Sequence, residues 1–419
     1  MLIGIVASLF AAGGHQAHHL FDHIYALSPY WTLLITPFGL GLSVWLLRRY
    51  FSGALGGGIP QAIAALEPDS TVLRARVLSI KAVVGQIVLT LIGIASGATF
   101  GYEGPIVQVG AALSYSFNRG VAGRNERAAR GIILAGAAAG VAAAFNAPLA
   151  GIVFAIEEMS HAFNYERRSS STILLCVIVA GLTSLSIQGS YNYFGITSVI
   201  LDWRQGWSAI LVCGIVGGLS GSVSSKLMRT ISHHLPKPLQ RIRGNFPVLF
   251  AMMCGLALAL IGIGSHGITL GTGYYRARDI ILQTRSDLGA FGILKWCSMM
   301  ISFASGAPGG MLVPSLAVGA GIGLNVATLL PAVSQTAVVL LGMVAFFSGM
   351  TLAPMTGFVI VMEMSDSSSM IIPLMAAALI ASNLSRLISR RALYPTLAHQ
   401  FHRKMQHATA EAQTAPHKD

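Results

Sequence analysis

Residues 131–156, GIILAGAAAGVAAAFNAPLAGIVFAI, contain no charged side chain. A segment this apolar can leave water only if its N–H and C=O groups pair along the segment itself, which selects helix. Apolar runs of the same character recur over 32–47, 82–95, 172–187, 207–219, 246–264 and 336–348, and several approach the roughly 20 residues that a spanning helix requires. The shorter ones fit tilted, re-entrant or half-spanning helices packed inside protein. Charged residues make up 10% of the 419, against about 25% in a soluble domain. The chain therefore reads as an all-α, polytopic membrane protein.

The formal charge of +12 sits at the ends of apolar runs, as at Arg48, Arg49, Arg127, Arg130, Arg167, Arg168, Arg390 and Arg391, where loop cations set membrane orientation. Aromatic residues are not interleaved with these cations as a nucleic-acid groove requires, so no nucleic-acid partner is expected. Arg386, Arg390, Arg391, Arg403 and Lys404 after the last apolar run place the C-terminus in the cytoplasm. The opening MLIGIVASLFAAGG lacks a basic n-region and reads as a first, uncleaved membrane helix. Residues 1–405 form the expected membrane domain, and the polar tail 406–419 is expected to be disordered. Cys176, Cys213, Cys254 and Cys297 stand singly in apolar sequence and read as packing residues, with no disulfide or zinc framework. His15, His18, His19 and His23 fall at helical spacing and read as the stripe of an interfacial helix rather than as a metal face. No HExxH, GxSxG or GxxxxGK[ST] motif occurs, so a membrane protease, an esterase or an ATP-driven pump lacks its chemistry. Neither enzyme activity nor a metal or other cofactor is expected.

Sliding the chain along itself aligns SGATFGYEGPIVQVGA (96–111) with SGAPGGMLVPSLAVGA (305–320), pairing Ser96 with Ser305, Gly97 with Gly306, Gly101 with Gly310 and Pro105 with Pro314. A second block in the same order aligns NAPLAGIVFAIEEM (146–159) with LAPMTGFVIVMEMS (352–365). Shared need for small packing residues explains scattered Gly and Ala but not two ordered blocks in register. The chain thus divides into halves of about 60–190 and 260–390, parallel or inverted, of the kind whose broken helices meet near the membrane midplane in transporters.

Pro60, Pro105, Pro148, Pro314 and Pro354 each follow a Gly- or Ala-containing stretch and precede an apolar run. Proline belongs in a first helical turn, where its missing donor costs nothing, so these are helix starts, several at bilayer depth. Converging helix starts offer unpaired N–H groups and partial positive charge, an anion site that needs no fixed cation. The repeat sets Glu103 against Leu312 and Glu158 against Met364, whereas Glu157 has a counterpart in Glu363. The matched pair reads as structural, in a capping role. The unmatched Glu103 and Glu158 are functional candidates, because an ionisable group in a membrane costs a few kcal/mol even on lenient scales. At a helix start that can hold an anion, the Glu103 carboxylate can occupy the anion's place when ionised and leave it when protonated.

GGGIPQ (56–61), GYEGP (101–105), GAAAGVAAAFNAPLAGIVFAIEEM (136–159), SGAPGGMLVP (305–314), APMTGFVIVMEM (353–364) and LYP (393–395) resemble the CLC family of chloride channels and chloride/proton exchangers, over nearly the whole chain. The resemblance implies an inverted-repeat bundle of tilted helices and a homodimer with a separate anion pathway in each subunit. It implies that Glu103 is the external gate and Glu158 the internal proton-transfer glutamate of exchangers. It places the anion at Gly57, Gly58, Ile59, Gly104, the backbone N–H groups of Met311 and Leu312, and the Tyr394 hydroxyl. Three positions depart from the family pattern. Gly57 stands where the family has a serine hydroxyl, so nitrate, fluoride or a looser chloride preference is open. Tyr102 replaces a basic residue and lowers the positive potential near the outer mouth. Leu312 replaces a phenylalanine but keeps its N–H. The reading is an electrogenic anion/proton exchanger, most simply chloride/proton, in the plasma membrane, with a passive anion channel gated by Glu103 as the alternative.

Overall fold

The computed structural model describes residues 1–67, 71–118, 120, 125–159, 167–189, 192–197, 199–233, 235–284 and 288–414. Among these no strand forms, and helices carry the backbone pairing as the hydropathy requires. The first half contains α1 (Leu2–Leu27), α2 (Thr32–Arg49), α3 (Ile59–Ala64), α4 (Thr71–Val77), α5 (Ile80–Ala95), α6 (Glu103–Phe117), α7 (Glu126–Phe145), α8 (Pro148–Phe154), which continues as a π-helical turn over Ala155–Met159, and α9 (Arg167–Gln188). The remainder contains α10 (Trp203–His233), α11 (Lys237–Asn245), α12 (Pro247–Gly264), α13 (Tyr274–Ile281), α14 (Phe291–Ser305), α15 (Leu312–Leu329), α16 (Gln335–Thr351), α17 (Pro354–Ser365), α18 (Ile371–Ile388) and α19 (Leu393–Thr414).

Seven described helical segments are long and apolar enough to cross a membrane, or eight if the bent pair α4 and α5, at 47° to one another, is one span. The stretch expected as a first membrane helix does form α1, but its histidine-bearing second half keeps it out of those seven. All five prolines lie in first turns. Pro60, Pro148 and Pro354 occupy the first two helical positions, whereas α6 and α15 open two residues ahead of Pro105 and Pro314. The polar tail expected to be disordered from residue 406 is helical as far as Thr414, and residues 415–419 lie outside the described residues.

The halves repeat in space as they do in sequence. Starts at Glu103, Glu126 and Pro148 are matched by starts at Leu312, Gln335 and Pro354. Gly97 and Gly306 both take a left-handed backbone at φ 79° and 78°, and α7 and α16 both end on a left-handed residue, Asn146 and Leu352. A leucine with φ 67° is uncommon, since its Cβ crowds the backbone there; the aligned position in the other half carries the more tolerant asparagine.

Two reciprocal contacts fix the relation between the halves as inverted. Gly101 N donates to Gly310 O at 2.9 Å and Gly310 N to Gly101 O at 2.8 Å, an antiparallel bridge between aligned residues. Glu157 accepts from the N–H groups of Met355 and Thr356 at 3.1 and 2.6 Å, opening α17. Glu363 accepts from those of Leu149 and Ala150 at 3.1 and 2.7 Å, opening α8. Each carboxylate caps the partner half's helix, so a two-fold axis runs between antiparallel elements. Small residues let backbones close up inside each half. A Cβ on Gly110 of α6 would lie 3.2 Å from Gly140 Cα of α7, and one on Gly319 of α15 would lie 2.6 Å from Met343 Cα of α16.

Candidate functional site

The starts of α3, α6 and α15 meet backbone to backbone. Gly58, at φ 88°, is pressed against the Gly104 carbonyl, Gly104 against the Gly57 carbonyl, and a Cβ on Gly310 would come 2.7 Å from Gly104 N. The loop ahead of α3 is held by side-chain amides. Gln86 donates to Gly56 O at 3.2 Å, Gln108 to Gly53 O and Val77 O at 3.1 and 2.9 Å, and Gln61 accepts from Gly58 N at 2.9 Å. Intrahelical bonding begins with Ile106 N in α6 and Ser315 N in α15, so the N–H groups ahead of them are orphan donors of two helix starts. Gly104, Ile59, Met311, Leu312 and Tyr394 are all buried. A Cβ on Gly57 would stand 3.1 Å from Gly309 O, so the hydroxyl-free position borders directly on the loop that leads into α15.

Glu103 opens α6 and is fully buried. Its Oε1 accepts from the Tyr193 hydroxyl at 2.7 Å, its Oε2 has no hydrogen-bond partner in the protein, and that oxygen folds so tightly over Gly101 that a Cβ there would overlap it. The carboxylate thus lies beside the Gly101–Gly310 bridge, one loop away from the starts at Met311 and Leu312. Glu158 lies in the π-helical turn after α8, 4% exposed, with Oε1 unpartnered in the protein. The wider turn separates it in role from its neighbour: Glu157 points to the partner half as a cap, and Glu158 turns inward. The buried Tyr394 hydroxyl has no hydrogen-bond partner in the protein either. Glu103 is thus paired with Tyr193, whereas Glu158 and Tyr394 each keep a buried polar atom with no hydrogen-bond partner in the protein.

A cavity of about 250 Å³ reaches this region, with Gly57, Gly309 and Met311 in its lining and the cations Arg243 and Lys404 among its other residues. Both cations are anchored by carbonyls, Arg243 to Ile231 O at 2.8 Å and Lys404 to Ser232 O at 3.1 Å. Fixed positive charge at a mouth raises the local concentration of anions.

Two residues escaped the sequence reading. Lys295 of α14 is fully buried and donates to Thr269 O at 2.8 Å, Gly271 O at 2.6 Å and Thr99 Oγ1 at 3.4 Å, just ahead of the Gly101 loop. It had a signal, as a lone cation in the run from Leu288 to Ser305. Tyr193 had none, since it sits in a short irregular stretch and reaches Glu103 only because Phe194 N and Thr197 N bond to the carbonyls of Met364 and Ser365 at the end of α17.

Inverted halves whose interrupted helices bring orphan N–H groups to a buried centre define a multi-pass membrane protein of the broken-helix transporter class. The chain belongs to the family described as Voltage gated chloride channel, which matches residues 38–386. It is similar to the H(+)/Cl(-) exchange transporter ClcA of Salmonella gallinarum (strain 287/91 / NCTC 13346), 30% identical over 94% of this chain and 84% of that one. Among solved structures it is similar to a slow cyanobacterial Cl−/H+ antiporter, with a TM-score of 0.83 at 22% identity over 97% of both chains. It is also similar to a CLC-type fluoride/proton antiporter, with a TM-score of 0.74 at 21% identity over 94% of this chain and 96% of that one.

Proposed function

We propose that this protein is an electrogenic anion/proton exchanger, with chloride as the anion, and that Glu103 is both the gate of the anion path and the proton carrier on one side. The observation that carries the reading is the place of Glu103: a buried carboxylate at the start of α6, packed on the loop that leads to the N–H groups of Met311 and Leu312. An ionised carboxylate there competes with a bound anion for the same donors; a protonated one yields. Glu158 is the proton-transfer group toward the opposite side, and Tyr394 with the α15 start holds the central anion. Exchange, rather than channel conduction, is supported by the second buried carboxylate and by the exchanger named among the chain's relatives. Anion and proton move in opposite directions, so their charge movements add, and voltage drives the cycle with about 2.3 kcal/mol per charge per 100 mV.

The reading extends to the setting. Arg386, Arg390, Arg391, Arg403 and Lys404 support a cytoplasmic C-terminus in the plasma membrane, and the cavity beside Lys404 then opens to the cytoplasm. A homodimer is supported by exposed apolar residues next to the reciprocal caps, Leu149 beside one and Ile156 and Met355 beside the other.

Reconstitution in liposomes with a chloride gradient and a pH electrode tests the function. Wild type is expected to move protons uphill, and Glu103→Gln to pass chloride with no proton movement. Chloride flux without pH change in the wild type makes the protein a channel; proton pumping that survives Glu103→Gln removes the carboxylate from the proton path.

A further inference from the structure

Glu103 is sealed from the face opposite the Arg243–Lys404 cavity. That face is located by α12, whose 18 residues extend about 27 Å at about 1.5 Å per residue. The helix runs from the end of α11, which carries Arg243, to the turn at Gly267. Gly267 lines a second cavity with His18, His19, Asp22, Tyr275 and Arg276. Between this cavity and Glu103 stand aromatic rings: Tyr193 packs edge-on against Tyr274 at 4.5 Å between centroids, against Phe194 at 5.3 Å and against Phe145 at 5.9 Å. A buried carboxylate behind such a plug needs side chains to pass it protons.

The side chains are present in sequence of contact. The Tyr193 hydroxyl donates to Glu103 Oε1 at 2.7 Å, and Tyr102 is its neighbour, near enough to act on it electrostatically. The Tyr102 hydroxyl lies 3.5 Å from His15 Nε2, His15 Nδ1 lies 3.2 Å from the Tyr275 hydroxyl, and that hydroxyl lies 3.4 Å from Nε2 of the exposed His19. The outer three contacts are longer than the optimum of about 2.8 Å, so transfer requires ring movements of a few tenths of an ångström. We infer that His15, Tyr102 and Tyr193 form a proton-transfer chain between Glu103 and the surface at His19 and Tyr275. This rests on the exchanger reading. It gives a use to Tyr102, which stands where the family pattern has a basic residue, and to the histidine stripe of α1.

The transfer balances. A proton reaching His15 at Nδ1 from the Tyr275 side leaves from Nε2 to the Tyr102 oxygen, while the Tyr102 proton passes to the Tyr193 oxygen and the Tyr193 proton to Glu103 Oε1. Only N–H and O–H bonds form and break, the three relay groups end neutral, and Glu103 carries the added proton. Two hydroxyl rotations and a tautomer exchange at His15 reset the chain. The titratable groups facing His15 are His18 and His19 on α1, Tyr102 just ahead of α6, and Tyr274 and Tyr275 on α13; Asp22 on α1, Arg276 on α13 and Lys295 on α14 act on the adjoining His18.

The experiment is the coupled flux assay in liposomes on wild type, His15→Ala, Tyr275→Phe and His23→Gln, with and without millimolar imidazole outside. His15→Ala is expected to slow proton-coupled chloride exchange about a hundredfold, the lower end of what a positioned proton-transfer side chain contributes, and external imidazole to restore much of the rate. Tyr275→Phe, which keeps the ring, is expected to slow it similarly, and His23→Gln to leave it unchanged. Rates within twofold of wild type for His15→Ala and Tyr275→Phe overturn the relay, as does a His15→Ala loss that imidazole does not touch. A wild type that moves chloride without protons overturns the exchanger and the relay together, whereas a coupled wild type with indifferent His15 and Tyr275 variants overturns the relay alone.

Discussion

At Gly57 one missing hydroxyl bears on anion choice. A serine Cβ there meets Gly309 O at 3.1 Å, a contact that a shift of a few tenths of an ångström relieves, so Gly57→Ser is expected to fold. A hydroxyl donating to a charged partner contributes about 1.5 to 3 kcal/mol, and 1.4 kcal/mol is about tenfold in affinity. Gly57→Ser is therefore expected to change the relative preference among chloride, fluoride and nitrate by up to about tenfold, read as relative initial fluxes from liposomes loaded with each anion; unchanged ratios place Gly57 off the anion path. Gly101 supplies the complementary test. Its missing Cβ leaves the space that Glu103 Oε2 occupies, so Gly101→Ala is expected to push the carboxylate from its place and reduce coupled exchange by at least about tenfold. Full activity in that variant means that the carboxylate works from another position.

Between elements, the reciprocal caps make a quantitative prediction. Each of Glu157 and Glu363 satisfies two N–H groups at the start of a helix in the other half, and removing such a cap costs about 1 to 2 kcal/mol. Glu157→Ala and Glu363→Ala are each expected to lower the thermal unfolding midpoint in detergent, and by similar amounts, because the two sites are related by the internal two-fold axis. A large drop for one and none for the other shows that the halves are not energetically equivalent. Lys295 acts between elements as well, tying α14 to the carbonyls of Thr269 and Gly271. Lys295→Met leaves those buried acceptors unpaired, and a further loss of about 1 to 3 kcal/mol is expected in the same measurement.

For the whole molecule the decisive property is the addition of charge movements. In a planar bilayer with equal chloride on both sides, an imposed pH gradient is expected to displace the reversal potential from zero, in the sense set by protons moving down their gradient against chloride. A reversal potential that stays at the chloride equilibrium value at every pH gradient identifies passive conduction.

Much of this architecture follows from local chemistry that a sequence displays. Uncharged runs force helix, prolines mark first turns, and two aligned blocks divide the chain into halves. Within those blocks Glu103 and Glu158 stood out because their counterparts are Leu312 and Met364, and the matched Glu157 and Glu363 do cap helices. Tertiary structure alone decided that the halves are inverted, since only the Gly101–Gly310 exchange and the crossed caps give the relative direction of the chains. It alone brought Tyr193 to Glu103 and set His15 between Tyr102 and Tyr275, residues so far apart in the chain that no periodicity connects them. Helix and turn preferences act over a few residues and leave a trace at each position, whereas a hydrogen bond between distant segments exists only once packing has fixed both ends.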